Sequence, residues 1–191
     1  MKNEDPIVIV SGLPRSGTSM MMQMCAAGGI EPLTDDQRQA DDDNLKGYYE
    51  LEQVKRLETD ASWLPRAKGK AVKVISALLK HLPPEYAYKV IFMHRNIDEI
   101  IASQKQMLVR RGEPNRFTDE DLARMFQNHL NQVHHWLKDQ QHVEVLHVDY
   151  NELLENPLKS IAGIKRFLGN GVDDARMAAV VDSSLYRQRR L

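Results

Sequence analysis

The chain has 191 residues, enough for one domain with a substantial hydrophobic core. Its 26 Lys and Arg nearly balance 27 Asp and Glu, which argues against a general nucleic-acid or membrane-surface binder. The single cysteine, Cys25, excludes an internal disulfide and favours a reducing compartment. The first apolar run, residues 7–10, is too short for a signal-peptide core or a membrane span. We therefore expect a single cytoplasmic domain over residues 1–191.

Four short apolar runs predict buried strands, and segments with helical periodicity separate them. The runs are residues 7–10, 71–75, 90–93 and 143–148. This alternation is typical of a parallel sheet that is covered on both faces. The sequence therefore predicts a three-layer α/β fold, with about four to five parallel strands between helices.

Three helices and one irregular connection stand out between these runs. Residues 98–110 form one predicted helix, a longer one begins after Thr118, and Asn156 and Pro157 open a third, which ends at Gly169. Residues 31–49 show little periodicity, so we expect an irregular connection there.

Residues 12–19, Gly-Leu-Pro-Arg-Ser-Gly-Thr-Ser, join the first predicted strand to a predicted helix. This order directs backbone N–H groups and a helix N-terminus to one point, which favours an anion. The spacing fits the phosphate-binding pattern G-x-x-x-x-G-K-[ST], but Thr18 stands where the Lys belongs. Because that Lys contacts the outer phosphates of a nucleoside triphosphate, a loop whose cation is Arg15 indicates a phosphate-like group other than that of ATP.

Arg95 follows the third predicted strand, and Ser103 lies one to two turns into the next helix. Ligands of open α/β sheets bind beyond the carboxyl ends of the strands, so Arg95 should face the same crevice as the loop. A guanidinium suits a second phosphate, and a hydroxyl could complete the site. The alternative is a surface ion pair between Arg95 and Asp98.

These segments resemble those of sulfotransferases. Residues 13–19 look like the 5′-phosphosulfate loop, in the Pro-Arg-Ser-Gly-Thr form of tyrosylprotein and bacterial members. Residues 94–98, with a Ser eight positions after the Arg, look like the 3′-phosphate motif. Residues 148–157 are similar to the family's Tyr-Glu-Asp-Leu…Asn-Pro segment, whose Tyr contacts the adenine; that role would fall to Tyr150.

The resemblance implies a P-loop-type domain that uses 3′-phosphoadenosine-5′-phosphosulfate (PAPS) as donor and no metal. The sulfuryl group would pass in line to a hydroxyl or amine of an unidentified small molecule, carbohydrate or peptide. Arg15, Thr18 and Ser19 would hold the phosphosulfate and stabilise charge on the bridging oxygen. The implied donor-binding residues are Pro14, Arg15, Ser16, Gly17, Thr18, Ser19, Arg95, Ser103 and Tyr150.

Lys73 interrupts the second apolar run, so it is either an outward-facing strand residue or a cation of the site. In sulfotransferases, a Lys near the end of this strand helps to stabilise the group that is transferred. The position of Lys73 approximately matches that Lys. Cytosolic sulfotransferases carry Lys-Thr-His here, with the His as general base, but this chain has Ile75 at the position of that His.

A carboxylate could replace the missing His as proton acceptor. Glu50 is the first choice, because the neighbouring Tyr48 and Tyr49 could form an apolar acceptor pocket. An ordinary surface role for Glu50 stays open. The other candidates are Glu52, Asp35 and Asp36.

Two further predictions concern the basic C-terminus and the histidines. The family's C-terminal Arg-Lys-Gly segment is absent, and residues 186–190, Tyr-Arg-Gln-Arg-Arg, either replace it or form a solvated tail. His129, His134 and His135 lie on the long helix at spacings that do not share one face, so we expect no metal site there.

Two rival functions stay open at this point. One is a magnesium-dependent kinase of the same fold, with Asp149 as the metal-organising acid. The other is a nucleotide-binding module that has lost catalysis, as the missing His suggests. The short chain leaves little material for a lid, which fits either an open crevice or a lid supplied by a second subunit in a homodimer.

Overall fold

A computed structural model of the protein describes residues 5–35, 37, 47–169 and 171–181. Its described strands form one parallel sheet in the order β2-β1-β3-β4. The strands are β1 Ile7–Gly12, β2 Ala71–Lys73, β3 Tyr88–His94 and β4 Val143–Asp149. All four predicted strands are present, so the predicted α/β class is confirmed.

Six α-helices accompany the strands in the described part of the chain. They are α1 Thr18–Ala27, α2 Ile97–Arg111, α3 Asp119–Lys138, α4 Tyr150–Glu155, α5 Pro157–Leu168 and α6 Asp174–Val180. Short 3-10 helices cover Glu52–Arg56, Leu64–Ala67 and Ser76–His81. Within these residues, no helix combines the length and apolar character that crossing a membrane requires.

Side chains cap the starts of α2 and α3, and of these two caps the sequence predicts the one at Thr118. Asn96 begins α2 by accepting a hydrogen bond from the Asp98 N–H, and Thr118 does the same for α3. The predicted cap of α5 is wrong in its chemistry: Asn156 occupies the position, but its side chain makes no capping hydrogen bond. Instead Pro157, at the first helical position, presets the backbone for the helix.

Alternating strand residues fill two hydrophobic layers, one on each face of the sheet. Ile91 and Met93 pack with the methionines of α1, whereas Val90 and Phe92 pack with α3 and the 3-10 segments. Trp63 is 1% exposed and packs within the second layer.

The strand order creates a crevice between the carboxyl ends of β1 and β3. The chain leaves β1 toward β2 on one side, and it leaves β3 toward β4 on the other side. Such a switch point opens a gap between diverging connections, and ligands of open α/β sheets bind there. The loop after β1 and Arg95 after β3 therefore meet at this crevice.

Candidate active site

The loop between β1 and α1 is shaped by two glycines. Gly12 has φ +147 and Gly17 has φ +97. A Cβ at Gly12 would lie 2.6 Å from the Met93 carbonyl oxygen, and one at Gly17 would collide with the Tyr150 ring. Only glycines let β3 and this ring approach the loop so closely.

The loop ends at the N-terminus of α1, which makes an anion site. No acidic residue occupies the first turn of this helix, so its N–H groups leave a positive partial charge at Thr18. Ser16 is 1% exposed, and its hydroxyl has no hydrogen-bond partner among the described residues. An oxyanion in the cradle would satisfy this otherwise costly buried group.

Arg95 packs directly against the loop, as the sequence predicts. Its Nη1 donates to the Arg15 carbonyl oxygen at 3.0 Å, and its Nε donates to a Glu99 carboxylate oxygen at 3.0 Å. The other Glu99 oxygen accepts a hydrogen bond from the Asn151 side chain at 3.0 Å. The structure thus shows a buried ion pair of Arg95 with Glu99.

Arg15 connects the two predicted phosphate motifs. Its Nε donates to the Ser103 hydroxyl at 2.9 Å, which joins the loop after β1 to the helix after β3. Ser103 is 8% exposed, so this contact lies at the floor of the crevice and not at its rim. The two motifs thus form one continuous surface.

Tyr150, the first residue of α4, closes one side of this surface. The Arg95 Cζ lies 4.8 Å from the centre of the Tyr150 ring, within the range of a cation–π contact. Burial raises the pKa of the phenol, and the Arg95 charge offsets part of that rise. Tyr150 is therefore a neutral hydrogen-bond donor at pH 7 with an aromatic face at the crevice.

Lys73 faces the loop and not solvent, which decides between the two orientations left open by the sequence. Its Nζ donates to the Ser19 hydroxyl at 2.8 Å and to the Tyr48 carbonyl oxygen at 2.6 Å. It also lies 5.9 Å from the centre of the Tyr48 ring. A cation thus stands beside the first turn of α1.

The candidate general bases differ in where the structure places them. Glu50 is half-buried and lines the same cleft as Lys73. Glu52 instead pairs with the exposed Lys55 at 2.6 Å. The Asp35 carboxylate accepts a hydrogen bond from the Glu52 N–H at 2.6 Å, and Asp36 lies outside the described residues. The geometry therefore keeps Glu50 as the first choice.

One cleft of about 650 Å³ is lined by Arg15, Glu50, Lys73, Arg95, Ser103 and Tyr150. Its polar floor consists of the loop together with the cationic and hydroxyl groups described above. Its lining also includes the apolar side chains of Leu51, Val54, Ile75, Leu78 and Phe126. The cleft thus offers apolar surface as well as charged and polar groups. Pro14 and Thr18 also line it, as the sequence predicts.

Sequence reasoning missed basic side chains of the cleft, two of which lie on one helix. Arg110 and Arg111, in the last turn of α2, contribute to its lining. Basic residues at a helix C-terminus are common for electrostatic reasons, so they gave no distinct signal. The predicted C-terminal candidates, residues 186–190, lie outside the described residues.

The chain was compared with known families and proteins. The model of the family described as "Sulfotransferase domain" matches residues 5–190. The search of curated protein sequences found no significant match.

Solved structures of low sequence identity share the fold. The sulfotransferase domain from the curacin biosynthetic pathway is 13% identical with a TM-score of 0.53, over 97% of this chain and 92% of that one. Sulfotransferase STF9 from Mycobacterium avium is 16% identical with a TM-score of 0.51, over 100% of this chain and 70% of that one.

Proposed function

Because the chain belongs to the sulfotransferase family, we propose that it transfers a sulfuryl group from PAPS to an acceptor hydroxyl or amine. One observation carries the donor assignment: Arg15, Arg95 and Ser103 converge beside the N-terminus of α1. Two guanidinium groups next to an anion cradle suit a ligand with two separate anionic groups. PAPS has such a pair in its 5′-phosphosulfate and its 3′-phosphate.

The donor lies across the crevice in this proposal. The loop N–H groups, with the hydroxyls of Ser16, Thr18 and Ser19, hold the 5′-phosphosulfate. Arg95 and Ser103 hold the 3′-phosphate, and the aromatic face of Tyr150 contacts the nucleoside. Two contacts support neighbouring sites for the two anions. The Arg15 side chain donates to the Ser103 hydroxyl, and Arg95 donates to the Arg15 carbonyl of the loop.

The transfer is a displacement at sulfur. The acceptor oxygen forms a bond to sulfur while the bond from sulfur to the bridging oxygen breaks, and 3′-phosphoadenosine-5′-phosphate (PAP) leaves with that oxygen. Lys73, held by Ser19 and the Tyr48 carbonyl, supplies positive charge where negative charge develops. The acceptor proton passes to the Glu50 carboxylate. Positioning and electrostatics carry this chemistry, by analogy with phosphoryl transfer.

The acceptor is an alcohol or phenol with an apolar body. Ile75 occupies the position of the family's His, and its apolar side chain is 45% exposed. It lines the cleft together with Leu78 and Phe126. Such a wall favours an apolar acceptor next to the Glu50 carboxylate.

A magnesium-dependent kinase is less well supported. The Asp149 side chain accepts a hydrogen bond from the Glu152 N–H at 2.9 Å and so caps α4. A metal-organising acid should instead be directed at the phosphate site. Thr18 also leaves the loop without the Lys that a γ-phosphate requires.

Calorimetry with PAP in the absence of magnesium tests the donor site. We expect saturable binding to the 191-residue protein that Ser103→Ala weakens about tenfold, the loss of one hydrogen bond to a charged group. Ser160→Ala on α5 is the matched control and should bind as the parent does. Absence of binding at millimolar PAP, or tighter binding of magnesium-ATP, would overturn the donor assignment.

A transfer assay with radiolabelled PAPS tests the reaction. The panel holds apolar alcohols, phenols, amines and carbohydrates, and we expect labelled product from the first two classes. Glu50→Gln should lower kcat while PAP affinity is retained, because the amide cannot accept the proton. PAP binding without transfer to any acceptor would favour the nucleotide-binding module that lacks catalysis.

A further inference from the structure

Three histidines from separate elements meet on the face of the sheet that α3 covers, which is the face opposite α1. His94 is the last residue of β3, His147 lies on the neighbouring β4, and His134 lies on α3. Their ring centres are 5.0 to 5.2 Å apart in all three pairings, so they form a compact triangle. The nucleotide cleft uses none of them.

The ring nitrogens of this histidine triangle converge. One ligand nitrogen from each ring lies within 4.8 Å of the others, and His94 Nε2 is 2.8 Å from His147 Nδ1. Tetrahedral zinc with Zn–N bonds of about 2.0 Å places its nitrogens about 3.3 Å apart. Small ring movements would therefore bring all three nitrogens to one metal ion.

The hydrogen bonding of the triangle is incomplete. His94 and His147 share one hydrogen bond, whereas the Nε2 of His134 is buried and has no partner among the described residues. A buried polar atom without a partner is uncommon in native proteins and calls for an explanation, such as a bound ion. A metal ion at the centre would engage this nitrogen and replace the shared proton.

The surroundings of the triangle leave room for an ion. Beside the rings is an open cavity of about 440 Å³. Its lining includes Lys138, whose positive charge opposes metal binding, whereas the carboxylate of Asp149, the β4 partner of His94, favours it.

We propose that His94, His134 and His147 bind one Zn²⁺ ion. Three imidazoles without a thiolate in the cluster suit Zn²⁺ and exclude a hard cation such as Mg²⁺ or Ca²⁺. The fourth position faces the open cavity and is taken by water. The bound ion cross-links β3, β4 and α3.

Titration calorimetry of the 191-residue protein without an affinity tag tests the site, with ZnCl₂ as the probe. We expect one equivalent of Zn²⁺ to bind, and His147→Gln and His134→Gln to weaken it at least about 100-fold. His147 is exposed, so its variant should fold even if the His134 variant does not. His135→Gln is the matched control: this exposed neighbour on α3 should not affect binding.

Two further readouts separate the site from incidental metal binding. CoCl₂ should give the intense visible bands of a tetrahedral site in the parent and in His135→Gln, but not in His147→Gln. ZnCl₂ at about 100 times its Kd should raise the Tm of the parent by about 5 °C. The proposal is overturned if no saturable binding is seen at about 1 mM ZnCl₂. It is also overturned if His147→Gln leaves the Zn²⁺ affinity unchanged, or if MgCl₂ binds as tightly as ZnCl₂.

Discussion

Glu99 is the counterion of Arg95, and its removal should cost much of the protein's stability. The two side chains are 9% and 5% exposed, and Arg95 Nε lies 3.0 Å from the Glu99 oxygen. At that distance the Coulomb attraction is about 5 kcal/mol for an effective dielectric constant near 20. Desolvation of both groups offsets part of it, and losing one partner of such a pair costs about 3–5 kcal/mol.

Glu99→Ala should therefore lower the free energy of unfolding by about 3–5 kcal/mol. Glu99→Gln should lower it by only about 1–2 kcal/mol, because its amide oxygen can still accept from Arg95 Nε. Urea unfolding at pH 7, followed by circular dichroism, measures both. For a chain of this size the larger loss corresponds to a fall in Tm of about 10 °C. The exposed Glu155→Ala should stay within about 0.5 kcal/mol of the parent.

PAP binding tests whether Glu99 acts only as the counterion of Arg95 or is itself needed to bind the nucleotide. Glu99→Gln keeps the Arg95 charge and removes a nearby negative charge, so PAP should bind to the folded variant at least as tightly as to the parent. The reasoning is refuted if Glu99→Ala unfolds within about 0.5 kcal/mol of the parent. It is equally refuted if Glu99→Gln, folded at the assay temperature, no longer binds PAP.

Three further predictions concern the loop, the cation beside it and the buried thiol. Gly17→Ala should abolish PAP binding and lower the stability more than Gly29→Ala does. Gly29 has the same φ of +97, but a Cβ there would meet open space. Equal losses of stability would contradict a role for the close approach of the Tyr150 ring to Gly17. Lys73→Gln should lower kcat about 100-fold with little change in PAP affinity, since PAP lacks the sulfuryl group, whereas Lys70→Gln should change neither, as steady-state kinetics will show. Burial raises the pKa of Cys25 to about 12, so alkylation at pH 8 should be about 1000-fold slower in the native protein than in urea, and similar rates would contradict that burial.

The fold was accessible to sequence reasoning because the sheet is buried on both faces. Strands in such a sheet appear as continuous apolar runs, and all four runs became strands. The helices α4 and α6 were missed because they have six and seven residues, too few for periodicity to emerge. Their start signals were present, since Asp149 and Asp173 each cap a helix with the side chain.

The site was accessible only where a motif fixed a residue's position relative to a strand end. The loop and Arg95 directly follow strands, so topology alone brings them to one crevice. Glu99 carried a usable signal, because it stands one helical turn after Arg95. The histidine triangle carried none, because its members lie on three elements whose approach depends on tertiary packing.

In the proposed function, contacts within the crevice prepare it for the donor. Protein atoms hold Arg95 and Arg15: Glu99 and the Arg15 carbonyl hold Arg95, and the Ser103 hydroxyl holds Arg15. Each of these bonds fixes a guanidinium at the crevice before any anion arrives. A guanidinium has five N–H donors, so one side chain can contact protein atoms and an anion together. The entropic cost of ordering these guanidinium groups is thus incurred on folding and not on binding. Less of the binding free energy of the donor is then spent on ordering the site. The Glu99 variants probe this arrangement, because they alter how Arg95 is held while its charge stays in place.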